Sequence, residues 1–94
     1  MNFEFTGKII YWRGPAPWLF VPVPAKYSRQ IKAVSSLVTY GWGVIPVHAR
    51  IGKTEFTTSL FPKDGRYLVP VKVVVQKAEK IGKGDKVTVH LEIR

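Results

Sequence analysis

The sequence predicts a mainly β fold, a small closed or partly open β-barrel of five to six largely antiparallel strands with one or two short helices. Apolar and polar residues alternate over much of the chain, which is typical of strands with one buried face. Turns rich in glycine and proline separate these stretches. Ninety-four residues suffice for one modest core, so we expect a single β-barrel domain over residues 1–94, in which closure hides the strand edges.

Two strands are predicted in the first quarter of the chain. Phe3, Phe5 and Ile9 alternate with polar residues and indicate a half-buried strand. Gly7 within that strand predicts a bulge or bend, because glycine offers no side chain to pack. The apolar run over residues 18–23 indicates a short strand covered on both faces, and its proline favours a position near a sheet edge.

Two helices are predicted, over about residues 25–38 and 70–81. From Tyr27 to Val38 apolar residues recur every three or four positions, which indicates an amphipathic helix. The second segment has a similar stripe that includes Val74. Because valine-rich segments favour strands, the choice between helix and strand over residues 70–81 stays open.

The remaining strands form a predicted hairpin and a C-terminal strand. Alternation over residues 44–51 and 54–60, with Gly52 in the short connection, is typical of a β-hairpin. Residue types over 62–65 predict a turn. Residues 87–93 show the most regular alternation in the chain and predict its last strand.

Composition limits the classes of function. The chain carries 15 Lys and Arg against 6 Asp and Glu, a formal net charge of +9. It has no cysteine, which excludes a disulfide scaffold, a zinc ribbon and a thiol enzyme. The start of the chain has no signal-peptide pattern, and its apolar runs are too short to span a bilayer. We therefore expect a soluble, cytoplasmic protein that does not contact membranes, a monomer or weak homodimer.

Catalytic and metal-binding patterns are weak. Ser59, His48 and Asp64 supply the atoms of a hydrolase triad, but the glycines of a nucleophile elbow do not flank Ser59. His48 and His90 are the two histidines, and no carboxylate cluster accompanies them in the sequence. We therefore predict no catalytic residue, no metal and no cofactor, and keep a hydrolase-like enzyme using Ser59 and His48 as an alternative.

Positive charge favours an anionic partner, and two kinds of partner stay open. For nucleic acid, cations would contact phosphates and indole rings would stack on bases. The residues predicted for this role are Trp12, Arg13, Trp42, Lys53, Lys63 and Arg66. The charge is spread evenly over both halves of the chain, and a lysine-covered surface that keeps the protein soluble is the simpler interpretation.

A small anionic ligand is the other possibility. Cations and aromatic residues gather around one turn near the middle of the chain, as at the mouth of a ligand-binding barrel. The residues predicted for this role are Trp42, Lys53, Lys63, Arg66, Tyr67 and Lys72. We therefore expect a non-enzymatic binding module for an anionic partner, with a purely structural or protein-interaction domain as a further alternative.

Short motifs that resemble a known family run along most of the chain. They are Gly41-Trp42-Gly43 and the segments 47–54, 58–63, 64–72, 75–81 and 84–89. Their combination resembles the family catalogued as domain of unknown function 1905. The resemblance implies a small β-barrel with one or two helices, related in shape to the double-split β-barrel, and implies no established reaction or ligand. Gln76 departs from the family pattern, which prefers a basic residue at that position.

Overall fold

A computed structural model describes residues 1–13, 17–38 and 45–93, without the side chains of residues 13, 17, 18 and 34–38. The elements in chain order are β1 (Asn2–Lys8), β2 (Ile10–Arg13), β3 (Pro17–Pro22), α1 (Ala25–Val38), β4 (Ile45–Ile51), β5 (Thr54–Lys63), β6 (Arg66–Pro70), α2 (Val73–Glu79) and β7 (Lys86–Ile93). The first predicted helix thus has the observed bounds of α1, and the segment around residues 70–81 is helical.

The strands form one curled sheet in the order β1-β7-β4-β5-β6-β3-β2, with antiparallel neighbours throughout. This architecture confirms the predicted mainly β, partly open barrel, although seven strands replace the expected five to six. One additional strand arises because the predicted first strand is two strands, β1 and β2. The other is β6, which follows a turn at Asp64 and Gly65, both with positive φ.

The curl of the sheet follows from the short connection between β1 and β2. These strands form opposite edges of the sheet, yet Ile9 alone separates them in sequence. Lys8 and Ile10 are at most about 7 Å apart along the chain, so both edges must meet at this corner. The predicted bend at Gly7 is wrong, because Gly7 pairs regularly with Val87 and the strand breaks at Ile9.

The core lies inside the curled sheet and is closed on one side by α1. Tyr27 on α1 packs against Phe3 and Phe5 of β1, with ring centroids 5.1 and 6.4 Å apart. The buried Ser28 hydroxyl donates a hydrogen bond to the Val23 carbonyl at 3.2 Å and accepts one from the Tyr67 amide at 3.3 Å. A polar group therefore fixes α1 to the ends of β3 and β6.

The second helix is shorter than the predicted segment, and its apolar stripe differs. Val75 is fully buried, whereas Val74 is 66% exposed. Lys72 before the helix is extended, and Lys80 after it has the left-handed conformation that ends a helix. The Gln76 side chain donates a 2.8 Å hydrogen bond to the Val71 carbonyl and so ties the helix to the segment that precedes it.

Neither helix has the length and apolar character that a membrane-crossing helix needs, within the ranges 1–13, 17–38 and 45–93.

Candidate functional site

Three aromatic rings meet on the outer face of the sheet. Val21 and Val69 belong to the core, so the residues beside them in β3 and β6 point to the opposite face. Phe20 lies on that face, 5.6 Å from Trp12 and 6.3 Å from Phe61 between ring centroids. We call Trp12, Phe20 and Phe61 the aromatic face. Phe20 is buried beneath the other two rings, whereas Trp12 and Phe61 are 38% and 40% exposed.

A cation lies directly against the aromatic face. The Lys63 ammonium is 4.5 Å from the ring centroid of Trp12, within cation–π distance. Trp12 is on β2 and Lys63 ends β5, two strands that β6 and β3 separate in the sheet. The curled order of strands therefore brings an indole and an ammonium together although they lie far apart in sequence.

Two neighbouring cavities share the side chain of Arg66. The first, which we call the hairpin cavity, has a volume of about 230 Å³ and is lined by Lys32, Lys63, Asp64 and Arg66 among others. The second, which we call the strand cavity, measures about 220 Å³ and is lined by Lys8 and Arg66 with mostly uncharged neighbours. Cations thus outnumber carboxylates around Arg66.

Arg66 is held in place by the backbone. Its Nε donates a 3.1 Å hydrogen bond to the Val23 carbonyl at the end of β3. The same carbonyl accepts the Ser28 hydroxyl, so the anchor of α1 and the anchor of Arg66 coincide. A guanidinium fixed through Nε keeps its terminal nitrogens directed together, which suits a carboxylate or phosphate.

Comparison with known proteins places the chain in a family. The sequence matches the model of the family described as a domain of unknown function, DUF1905, over residues 5–91. The chain belongs to this family. No curated protein matches the sequence. DUF1905 membership confirms the resemblance seen in the motifs and assigns no ligand, so any function must be argued from the surface of this domain.

The DUF1905 domain brings some of the predicted site residues together and separates others. Lys63, Arg66 and Tyr67 all line the hairpin cavity. Lys53 lies in the β4–β5 turn at the other end of β5, where its amide donates to the Glu79 carboxylate at 3.4 Å. Lys72 precedes α2, beyond the far end of β6. The predicted residues therefore divide into one group at the β5–β6 hairpin and two separate lysines.

Two predicted residues lie wholly or partly outside the description. Trp42 is outside the described residues, and Arg13 is described only as the last backbone position of β2. Other residues of the site were not predicted. Lys8 and Lys32 join the cavities, and Phe20 supports the aromatic face. Their positions depend on the packing of β1, α1 and β3 around β6, for which the sequence carries no local signal.

A third cavity has the opposite charge and lies on the outer face of β1, β7, β4 and β5. It measures about 440 Å³, and its lining includes Glu4, His48, Arg50, Glu55 and His90. His90 pairs with Glu4 at 3.1 Å and His48 pairs with Glu55 at 3.3 Å. We call it the acidic cavity. Within the described ranges no group of histidines and acidic residues is arranged to hold a metal ion.

The residues of the alternative hydrolase are not assembled as a triad. His48 directs its Nε2 to Glu55, and His48 is paired across the hairpin with Thr57 rather than with Ser59. Asp64 lies in the turn after β5, about 16 Å beyond Ser59 at the usual strand rise. The contacts that a serine nucleophile requires from its base are therefore not formed in this arrangement.

Proposed function

We propose that this DUF1905 domain is a non-enzymatic binding module for an anionic partner, a small anionic ligand or a nucleic acid, with Lys63 and Arg66 as principal contacts. One observation carries the proposal. Arg66 is shared by two cavities, whose linings together include four cations, Lys8, Lys32, Lys63 and Arg66, and one carboxylate, Asp64. Such a concentration of cations around two concavities favours an anion.

The distribution of acidic residues supports the same conclusion. Three of the six acidic residues of the chain, Glu4, Glu55 and Glu92, line the acidic cavity on other strands. Glu79 is engaged by Thr54, and Asp85 accepts the Gly82 amide. The acidic side chains that would repel an anion are thus mostly directed away from Arg66.

Lys63 and Arg66 also have charge to offer. Neither forms an ion pair with a carboxylate in the described part of the chain. Arg66 is ordered by the Val23 carbonyl and Lys63 by the Trp12 ring, so binding an anion costs less side-chain entropy than it would for two mobile cations. An anion would gain a planar guanidinium and an ammonium from one side.

The test uses inorganic pyrophosphate, titrated by calorimetry at low salt. We expect saturable binding that weakens by about tenfold in Lys63→Gln and in Arg66→Gln, because each removes a charged hydrogen bond. Lys77→Gln is the matched control, since Lys77 is an exposed lysine of α2 outside all three cavities. Equal weakening in all three variants, or no binding by the unmodified protein, would contradict the proposal.

A further inference from the structure

We infer that the anionic partner is a single-stranded nucleic acid, whose bases stack on Trp12 and Phe61 while its phosphates contact Lys63 and Arg66. This inference rests on the proposed function and adds the role of the aromatic face. A small anion needs only the cations. Two exposed rings beside those cations are explained when the ligand carries flat apolar groups together with negative charge.

The aromatic face is built as a platform. Trp12 and Phe61 both rest on the buried Phe20, whose ring is tilted by 58° to the indole and by 89° to the Phe61 ring. A buried ring under two exposed ones holds them in place, so stacking a base on either requires little reorganisation. Base stacking on aromatic side chains tolerates any sequence, since every base has a π face.

Lys63 connects stacking with phosphate contact. Its ammonium covers the Trp12 ring in the unbound domain, a contact that is weak at an exposed site. A base can take the place of the ammonium on the indole, and the lysine then turns to the adjacent phosphate. The exchange keeps the ring and the cation both occupied, which lowers the net cost of binding.

The shared position of Arg66 fits a chain of phosphates better than a single one. The hairpin cavity contributes Lys32 and Lys63 on one side of Arg66, and the strand cavity contributes Lys8 on the other. These cations border a continuous path along the end of β6. A flexible strand can follow such a path, whereas duplex bases are already stacked on one another and cannot reach Trp12 or Phe61.

The experiment measures fluorescence anisotropy of labelled oligothymidylate, oligouridylate and a duplex DNA of equal length. We expect single strands to bind more tightly than the duplex, and Trp12→Leu and Phe61→Leu each to weaken single-strand binding roughly tenfold. In Lys63→Gln, the slope of log affinity against log salt falls by about 0.7, the value of one single-strand phosphate contact. Thermal unfolding of each variant verifies that it is folded.

Tyr11→Leu is the matched control. Tyr11 is 45% exposed and has a lysine, Lys83, at 5.7 Å from its ring, so it repeats the chemistry of Trp12 and Lys63. It points to the opposite face of β2, because adjacent strand residues alternate. We expect this variant to bind single strands as the unmodified protein does.

The outcomes separate this inference from the proposed function. Pyrophosphate binding together with equal affinity for duplex and single strands, or with unchanged binding in Trp12→Leu and Phe61→Leu, overturns the stacking inference and leaves anion binding in place. Pyrophosphate binding without oligonucleotide binding also overturns the inference alone. Failure of all these ligands overturns both proposals.

Discussion

Gly7 of β1 and Val21 of β3 approach so closely that a Cβ atom on Gly7 would lie 2.8 Å from Val21 Cγ1. β1 and β3 are not hydrogen-bonded neighbours in the sheet, since β1 is an edge and β3 is next to the other edge. Their contact is where the curled sheet comes nearest to closing. Glycine is needed here for space, as the strand itself is regular.

Gly7→Ala is therefore expected to destabilise the domain by about 1–3 kcal/mol, because Val21 is fully buried and stiff and cannot move aside. Chemical denaturation measures the change in unfolding free energy. Gly82→Ala is the control, since a Cβ there meets nothing within 4 Å, and its effect stays within about 0.5 kcal/mol. Equal stability of the two variants would show that the barrel seam is not tightly packed.

Gly52 is expected to be the more sensitive of two turn glycines. Gly52 and Gly65 both have positive φ, +60° and +77°, so alanine is strained at either position. A Cβ on Gly52 would additionally overlap the Glu79 carboxylate, which accepts a 2.5 Å hydrogen bond from Thr54, whereas a Cβ on Gly65 meets nothing. Gly52→Ala should therefore cost about 1–2 kcal/mol more than Gly65→Ala.

The excess depends on Glu79, which gives the comparison a second check. In a Glu79→Ala background, the difference in unfolding free energy between Gly52→Ala and Gly65→Ala should vanish, because the overlapped carboxylate is gone. A difference that persists in this background would mean that the contact with Glu79 is not its cause.

Ser28→Ala should destabilise the domain by about 1–3 kcal/mol, because the Tyr67 amide loses its buried hydroxyl acceptor. Amide hydrogen exchange at Tyr67 should accelerate by the same free energy. Ser59→Ala, a change of the same atoms at a half-buried position of β5, is expected to stay within about 0.5 kcal/mol. Unchanged exchange at Tyr67 in Ser28→Ala would contradict this account of how α1 is attached.

Adjacent valines of α2 provide a test of the helix orientation. Val75 is fully buried and Val74 is 66% exposed. Val75→Ala is expected to cost about 2 kcal/mol of unfolding free energy, whereas Val74→Ala costs close to zero, since only the first leaves a cavity in the core. Thermal or chemical denaturation of both variants decides the matter, and a larger loss in Val74→Ala would reverse the assignment of faces.

The elements that the sequence predicts well are those with a local, periodic signal. The bounds of α1 follow from apolar residues at helical spacing, and β7 from strict alternation. β6 escapes this reasoning because it does not alternate. Tyr67 and Val69 face the core while Leu68 is buried outside the core cluster, so the strand is apolar on both faces.

The candidate site could be predicted only in part. Lys63, Arg66 and Tyr67 are adjacent across one turn, so their proximity is a local property. The approach of Trp12 to Lys63 is different, because it depends on the order β5-β6-β3-β2 and on the curl that Ile9 imposes. Sequence patterns give the face of a strand, but the identity of its neighbour requires the topology.

Nuclear magnetic resonance mapping of anion binding tests the central claim most directly. The ¹⁵N-labelled protein is titrated with inorganic pyrophosphate while the backbone amide shifts are followed. The account predicts that the largest shifts lie from Lys63 to Tyr67 and at Lys8 and Lys32, around the two cavities that share Arg66. Shifts of equal size at Lys53, Lys72 and Lys77, or no saturable shift at the β5–β6 hairpin, would contradict it.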